Sequence, residues 1–481
     1  MRICLLLLAL LWPVTGLADS VTEPCHVEDL TTYVQCGAID VPLDYDNPEA
    51  AQISVGFVIL PSFNPSPTRP PLMFLAGGPG QSATSLAAAI DRMFADARAE
   101  RDILLIDQRG TGRSAPLDCD VEPDMGLAAA EDLFDRGILR ECIDQLPAGI
   151  RHFSTANAIR DFERVRTALG YAQVDLYGGS YGSRAAFAYL AMAGDTVRSV
   201  ILDGVAPPDV PIGLFGQSAA AAYELALHRC EINPRCRENF PDLRADFAAV
   251  DARLREGPVD TQLPHPTSGA LTDFRLWHGQ FISLIRLLLY APDTVALLPA
   301  MLNAAADSDY RPLASLMATT SASMDINMLL NLTIICNEDF PRFTQAAIDR
   351  DADNSFGGDT SYRLWSQACP LMPRFPAQTD WMQADKHPQP VLLLSGAGDP
   401  VTPPSNGERA MARFKNARHI VVEHAAHIVA GSECGGEMIA AFLEAQDPAA
   451  IDADCIDEIP EQRFVLNPLG LMSASAMEDP S

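Results

Sequence analysis

Val174-Asp175-Leu176-Tyr177-Gly178-Gly179-Ser180-Tyr181-Gly182-Ser183 decides how this chain is read. A short apolar run leads into Gly178-Gly179-Ser180-Tyr181-Gly182, which fits G-x-S-x-G. Arg184 to Met192 follows, a good helix former. Alone, the pentapeptide also suits an ordinary glycine-rich turn. Strand before and helix after make it the setting in which a serine is held open at the end of a sheet strand. The bend at Ser180 demands a strained backbone, and a Cβ at position 178 or 182 would collide with neighbouring backbone.

Working outward, Ile53–Leu60, Leu72–Ala76, Ile103–Asp107 and Ser199–Gly204 read as strands, and Thr155–Leu169 as an amphipathic helix capped by Ser154 or Thr155 and stopped by Gly170. Alternating strands and helices predict a mostly parallel sheet wrapped by helices. Residues 19 to about 50 are polar and read as a loop clipped by Cys25 and Cys36, and Pro61–Pro71 as a surface loop. From about residue 205 to 390, Ala/Leu-rich helical stretches such as Ala219–Leu227 and Phe281–Tyr290 dominate, which predicts a helical cap inserted between strands. The sheet resumes at Val391–Ser395 and His419–Val422. The expected division is therefore 1–18 leader, 19–204 first part of an α/β core, 205–390 cap, and 391–481 second part of the core.

A serine hydroxyl becomes a nucleophile only when a base takes its proton and an acid orients that base. In this architecture the chain order is Ser, then Asp or Glu, then His. Asp399 follows the strand ending at Ser395, and His427 follows the strand ending at Val422. Asp203 is the rival acid; His419 and His424 are rival bases. Backbone N–H groups must meet the negative oxygen that acyl transfer creates. The Gly78 N–H, with Gly77 as the alternative, and the Tyr181 N–H are the candidates. Asp107 and Arg109, in the loop Asp107-Gln108-Arg109-Gly110-Thr111-Gly112-Arg113-Ser114, are expected to brace the site rather than react; the loop lacks the phosphate-loop pattern.

Met1 to Ala18 has one positive charge, a short apolar run interrupted by Pro13, and Gly16-x-Ala18, the pattern of a secretory signal cleaved after Ala18. Beyond it no stretch is apolar and long enough to span a bilayer. Of 11 Cys, Cys4 leaves with the leader. The other ten form neighbouring couples in chain order, 25–36, 119–142, 230–236, 336–369 and 434–455, one of many possible connectivities for an exported, periplasmic or secreted chain. No C-x-x-C occurs, so the spacings do not suit zinc, and no metal or organic cofactor is implied. At 481 residues and a net charge of −29, the chain is too acidic for nucleic acid or anionic membranes. It suits a cationic ligand such as a free amino terminus.

As a set, Gly77-Gly78-Pro79-Gly80, the 107–114 loop, the elbow, Gly398-Asp399-Pro400-Val401-Thr402-Pro403 and the late His427 resemble the alpha/beta-hydrolase serine peptidases of the proline iminopeptidase and tripeptidyl aminopeptidase group, especially its exported tripeptidyl-aminopeptidase-like branch. The likeness covers nearly all of the chain after the leader, including the segment with Cys434 and Cys455. Ala76, where many iminopeptidases carry His, and Ala426, where Gly often precedes the catalytic His, depart from the pattern. The resemblance implies Ser180 as nucleophile, Asp399 as orienting acid and His427 as base. It also implies an aminopeptidase releasing short peptides or proline, with a cap acid receiving the substrate ammonium. Glu338 or Asp339, in Cys336-Asn337-Glu338-Asp339-Phe340, is the candidate. A carboxylic ester hydrolase acting on a small acyl substrate is the alternative, because fold and triad do not fix the leaving group.

Overall fold

The computed structural model describes residues 21–64, 69–119, 133–264, 269–316, 326–383, 386–432 and 434–466. The leader 1–18 lies outside the described residues. No described helix is long and apolar enough to cross a membrane.

Nine strands form one sheet: β1 (Thr22–Cys25), β2 (Val34–Pro42), β3 (Gln52–Leu60), β4 (Leu72–Leu75), β5 (Ile103–Ile106), β6 (Val174–Gly179), β7 (Val197–Asp203), β10 (His387–Gly396) and β11 (Phe414–Val422). Their order is β1-β2-β3-β5-β4-β6-β7-β10-β11. The first three and the β3–β5 contact are antiparallel, and the remaining pairs are parallel. Helices cover both faces, which is why the parallel strands read as unbroken apolar runs. In β4, Met73 and Leu75 join the core beneath the helices Thr155–Ala168 and Tyr181–Ala193. Leu72 and Phe74 join the opposite core, with Ile90, Phe94 and the Phe442–Leu443 end of the helix Gly435–Ala445.

Two features differ from the sequence reading. The polar stretch after residue 19 is not a loop but the edge hairpin β1–β2, whose pairing sets Cys25 opposite Val34 and Cys36 opposite Glu23. Gly37 and the polar neighbours break the alternation that would have marked it. Between β7 and β10, helices dominate as expected, yet a two-stranded sheet, β8 (Val259–Pro264) and β9 (Leu271–Leu276), sits among them. Leu263, Phe274 and Leu276 point into the separate cap core while Asp260 and Arg275 pair outside. All five cysteine couples close in chain order.

The loop after β5 braces the sheet's end, as its residues suggest. The fully buried Arg109 guanidinium grips both carboxylate oxygens of Asp161 at 2.7 and 2.6 Å and donates to the carbonyls of Leu43 and His152. Asp107 accepts from the Ser82 and Thr84 hydroxyls and from the amides of Thr84 and Arg113.

Asp203, at the end of β7, fastens the two halves of the core. Its carbonyl accepts the Ser180 N–H at 2.8 Å. Its buried carboxylate accepts the N–H groups of Val429 and Ala430 and the Tyr177 hydroxyl, each at 2.8 Å. Asp203→Ala would strand those buried donors, at about 1–3 kcal/mol each. The expected result is a lower urea midpoint with an unaltered m value, and a midpoint equal to that of the parent would refute this role.

Candidate active site

Ser180 sits between β6 and the helix Tyr181–Ala193 with φ +56° and ψ −124°, a conformation that side chains rarely adopt. Two glycines make it possible. A Cβ on Gly182 would lie 1.9 Å from the Leu75 carbonyl oxygen, and one on Gly178 would lie 2.4 Å from that of Gly182. The bend leaves Ser180 half-buried at the start of the helix. Tyr181 is the first helical residue, so its N–H has no acceptor within the helix, and the positive end of the helix dipole lies there. The Gly77–Gly80 loop touches the elbow: a Cβ on Gly77 would stand 3.4 Å from that of Ser180. Gly78, next along, has φ +106°.

The candidate acid and base arrive from separate strand ends. Asp399 leaves β10 and His427 leaves β11, neighbours in the sheet. The Asp399 carboxylate accepts from the amides of Val401 and Thr402 at 2.9 and 2.8 Å and from the Thr402 hydroxyl at 2.7 Å. Its Oδ2 lies 2.8 Å from His427 Nδ1. Burial pushes the Asp399 carboxyl upward, but the adjacent imidazole and these donors outweigh it and hold it below the ordinary range. Burial likewise pushes His427 downward, and the Asp399 charge outweighs it, leaving the imidazole above its ordinary value. The His427 N–H donates to the Tyr290 carbonyl at 3.0 Å, and the two rings meet edge to face at 5.0 Å.

His427 and Ile428 pack against the segments just before the Ser180 bend and just after β7. A Cβ on Gly204 would stand 3.2 Å from His427 Cε1, and one on Gly179 would stand 3.2 Å from the Ile428 side chain. Two of the three rival groups are occupied elsewhere, while His424 Nδ1 is buried with no hydrogen-bond partner among the described residues. Asp203 holds backbone amides, and His419 Nε2 lies 3.0 Å from Ser395 Oγ.

The cap reaches the core through a π-helical turn, Ile335–Asp339, clipped by the 336–369 disulfide. Its two acids part company. Asp339 makes a buried ion pair with Arg184 at 2.9 Å and accepts the Ile212 N–H at 3.0 Å, so its carboxylate ties the cap to the helix behind the elbow. Glu338 lines a cavity of about 260 Å³ with Ser154, Asn157, Arg160, Asn337 and Phe375. Its oxygens accept the Thr155 N–H at 2.9 Å and the Thr155 hydroxyl at 2.7 Å, and that hydroxyl meets the Tyr181 hydroxyl at 2.7 Å. Burial raises the Glu338 carboxyl to about 7. The Thr155 and Tyr290 contacts escaped the sequence reading, since neither residue type marks a site by itself. No group of acids, histidines or cysteines able to hold a metal occurs among the described residues.

The chain is 23% identical to the tripeptidyl aminopeptidase of Streptomyces coelicolor over 481 residues, covering 90% of this chain and 85% of that one. It is 28% identical to the serine protease Hip1 of Mycobacterium tuberculosis over 190 residues, 36% of each chain. Carboxylesterase B of Mycobacterium tuberculosis is 31% identical over 224 residues, 42% of each. Residues 70–432 match the alpha/beta hydrolase fold family. That span takes in the elbow, the Asp399 loop and His427 alike, and the chain belongs to the alpha/beta hydrolase fold family.

Proposed function

We propose that this serine hydrolase is an exported aminopeptidase that releases short peptides or proline from peptide N-termini through an acyl-enzyme. The observations that carry the mechanism are the 2.8 Å contact of Asp399 with His427 Nδ1 and the φ of +56° at Ser180. His427 takes the proton from Ser180 Oγ as it attacks the scissile carbonyl. The N–H groups of Tyr181 and of Gly78 hold the oxyanion. The C–N bond breaks as His427 returns its proton to the leaving amine, and water then releases the acyl group by the same route. The peptidase reading is supported by similarity to a tripeptidyl aminopeptidase along 90% of the chain. Glu338 receives the substrate ammonium, since Asp339 is committed to Arg184. Five disulfides support export to an oxidising compartment. The second reading, a carboxylic ester hydrolase, is favoured by the similarity to carboxylesterase B. Turnover of tripeptide or proline anilides against short p-nitrophenyl esters, with Ser180→Ala as control, separates the two; ester-only turnover would overturn the aminopeptidase.

The base works only when neutral, and its proton affinity is raised. Activity should therefore fall with acidification at a pH above the ordinary histidine value of 6.5. Asp399→Asn removes the charge that raises it. We expect kcat to drop by roughly four orders of magnitude and the acid limb of kcat/KM to move to lower pH; an unmoved limb would contradict this pairing.

Glu338 must be ionised to hold an ammonium, so its grip should strengthen as pH rises through about 7. Glu338→Gln is expected to raise KM for free-amine peptides far more than for N-blocked esters. Equal rises on both substrates would exclude this role.

A further inference from the structure

We propose that Arg286 forms an anion-binding subsite beside the catalytic base, which takes the free carboxylate on the leaving portion of a short peptide. The proposal rests on the aminopeptidase reading and adds the class of peptide that the site prefers. Arg286 belongs to the helix His278–Leu288, within the Phe281–Tyr290 stretch that the sequence marks only as helical. The chain carries 34 basic against 63 acidic residues, so arginines easily find carboxylates here. Arg101, Arg109, Arg184, Arg198 and Arg342 all pair with acids in the interior.

Arg286 is half-buried too, yet it makes no ion pair among the described residues. Its Nη1 donates to the Tyr290 hydroxyl at 3.1 Å, and its guanidinium lies 5.3 Å from the centre of the Phe215 ring and 5.9 Å from that of Tyr290. Those contacts hold the planar group in place and leave most of its five donors for another acceptor. A positive charge so placed lacks the anion that offsets each of those five arginines.

The guanidinium also faces space. It lines a cavity of about 50 Å³ whose other walls include the residues Ser283, Ser355 and Ser361 along with Phe215 and Trp365. That is room for a few water-sized groups, enough for a carboxylate. Tyr290 joins this pocket to the chemistry, because its carbonyl holds the His427 N–H and its ring packs on the imidazole. The two ring contacts put the guanidinium within about 11 Å of the imidazole, a span of about three extended residues. His427 is the group that hands its proton to the departing amine. A cation on that side therefore meets the leaving portion, and a peptide ending within three residues of the cut bond would bring its terminal carboxylate there. With the ammonium held on one side and the carboxylate on the other, the site selects for short peptides.

The experiment compares tetra-alanine bearing a free C-terminal carboxylate with the same peptide as its C-terminal amide, using the mature protein and its Arg286→Gln and Arg286→Lys variants. Released amine is followed for both peptides, and a p-nitrophenyl ester serves as a check on the nucleophile. The parent enzyme should favour the acid over the amide by roughly ten- to a hundredfold in kcat/KM, as expected of a charge-assisted contact. Arg286→Gln should bring that ratio to about one, and Arg286→Lys should retain part of it. If both peptides are cleaved equally by the parent enzyme, or if Arg286→Gln lowers both in proportion, the subsite is refuted while the aminopeptidase stands. If neither these peptides nor the same acid and amide pair with proline as the N-terminal residue, on which the same ratio would be read, is cleaved by a preparation that hydrolyses the ester, the aminopeptidase reading falls and takes the subsite with it.

Discussion

Backbone segments separated by more than two hundred residues are tied to one another by the bonds of Asp203. Through its carbonyl it fixes the amide of Ser180. Through its carboxylate it fixes the two amides that follow His427 by two and three residues. A buried carboxylate surrounded by donors is stable only in one arrangement of its neighbours, since each unmatched group costs about as much as a lost hydrogen bond. The elbow and the histidine loop therefore cannot drift apart without leaving several polar groups unpaired. Gly204, next in the chain, completes the constraint by leaving room for the imidazole.

The same logic recurs wherever this acidic chain buries charge. Arg109 with Asp161 closes the loops around the sheet, and Arg184 with Asp339 joins the helical segment after β7 to the helix that follows Ser180. Such pairs contribute little net stability, because desolvation offsets attraction, but they tolerate few alternative geometries. Cap and core are further joined by Ser218, whose hydroxyl donates to the Pro400 carbonyl beside Asp399, and by the Tyr290 carbonyl beneath His427. The helical segment between β7 and β10 thus binds directly to the loops that carry Asp399 and His427.

The disulfides act at a different scale. Each links residues 6 to 33 apart in sequence and staples a local segment. The 25–36 bridge secures an edge hairpin, the 336–369 bridge anchors the π-helical turn that presents Glu338, and the 434–455 bridge holds the start of the helix Gly435–Ala445 to the short helical turn Asp454–Glu458. Long-range order is left to the sheet and to the buried polar contacts.

How much was legible in the residues follows from the range of the forces involved. The elbow could be read because its steric demand is local: small residues two positions either side of Ser180 and a strand–helix switch in apolar pattern. The parallel strands could be read because burial on both faces leaves unbroken apolar runs. Asp399 and His427 were legible only by their place at strand ends and their order. The β1–β2 and β8–β9 hairpins were not legible, because half-exposed edge strands carry mixed patterns that only pairing resolves. Local chemistry by itself determined the sheet's core, the bend at Ser180 and the identity of the groups that could react. Only the tertiary structure decided that Asp203 binds backbone rather than imidazole, that Asp339 is consumed by Arg184 while Glu338 reaches a cavity, and that Arg286 makes no ion pair among the described residues. Those outcomes depend on which partner is nearest in space, and chain separations of tens to hundreds of residues put that beyond any local pattern.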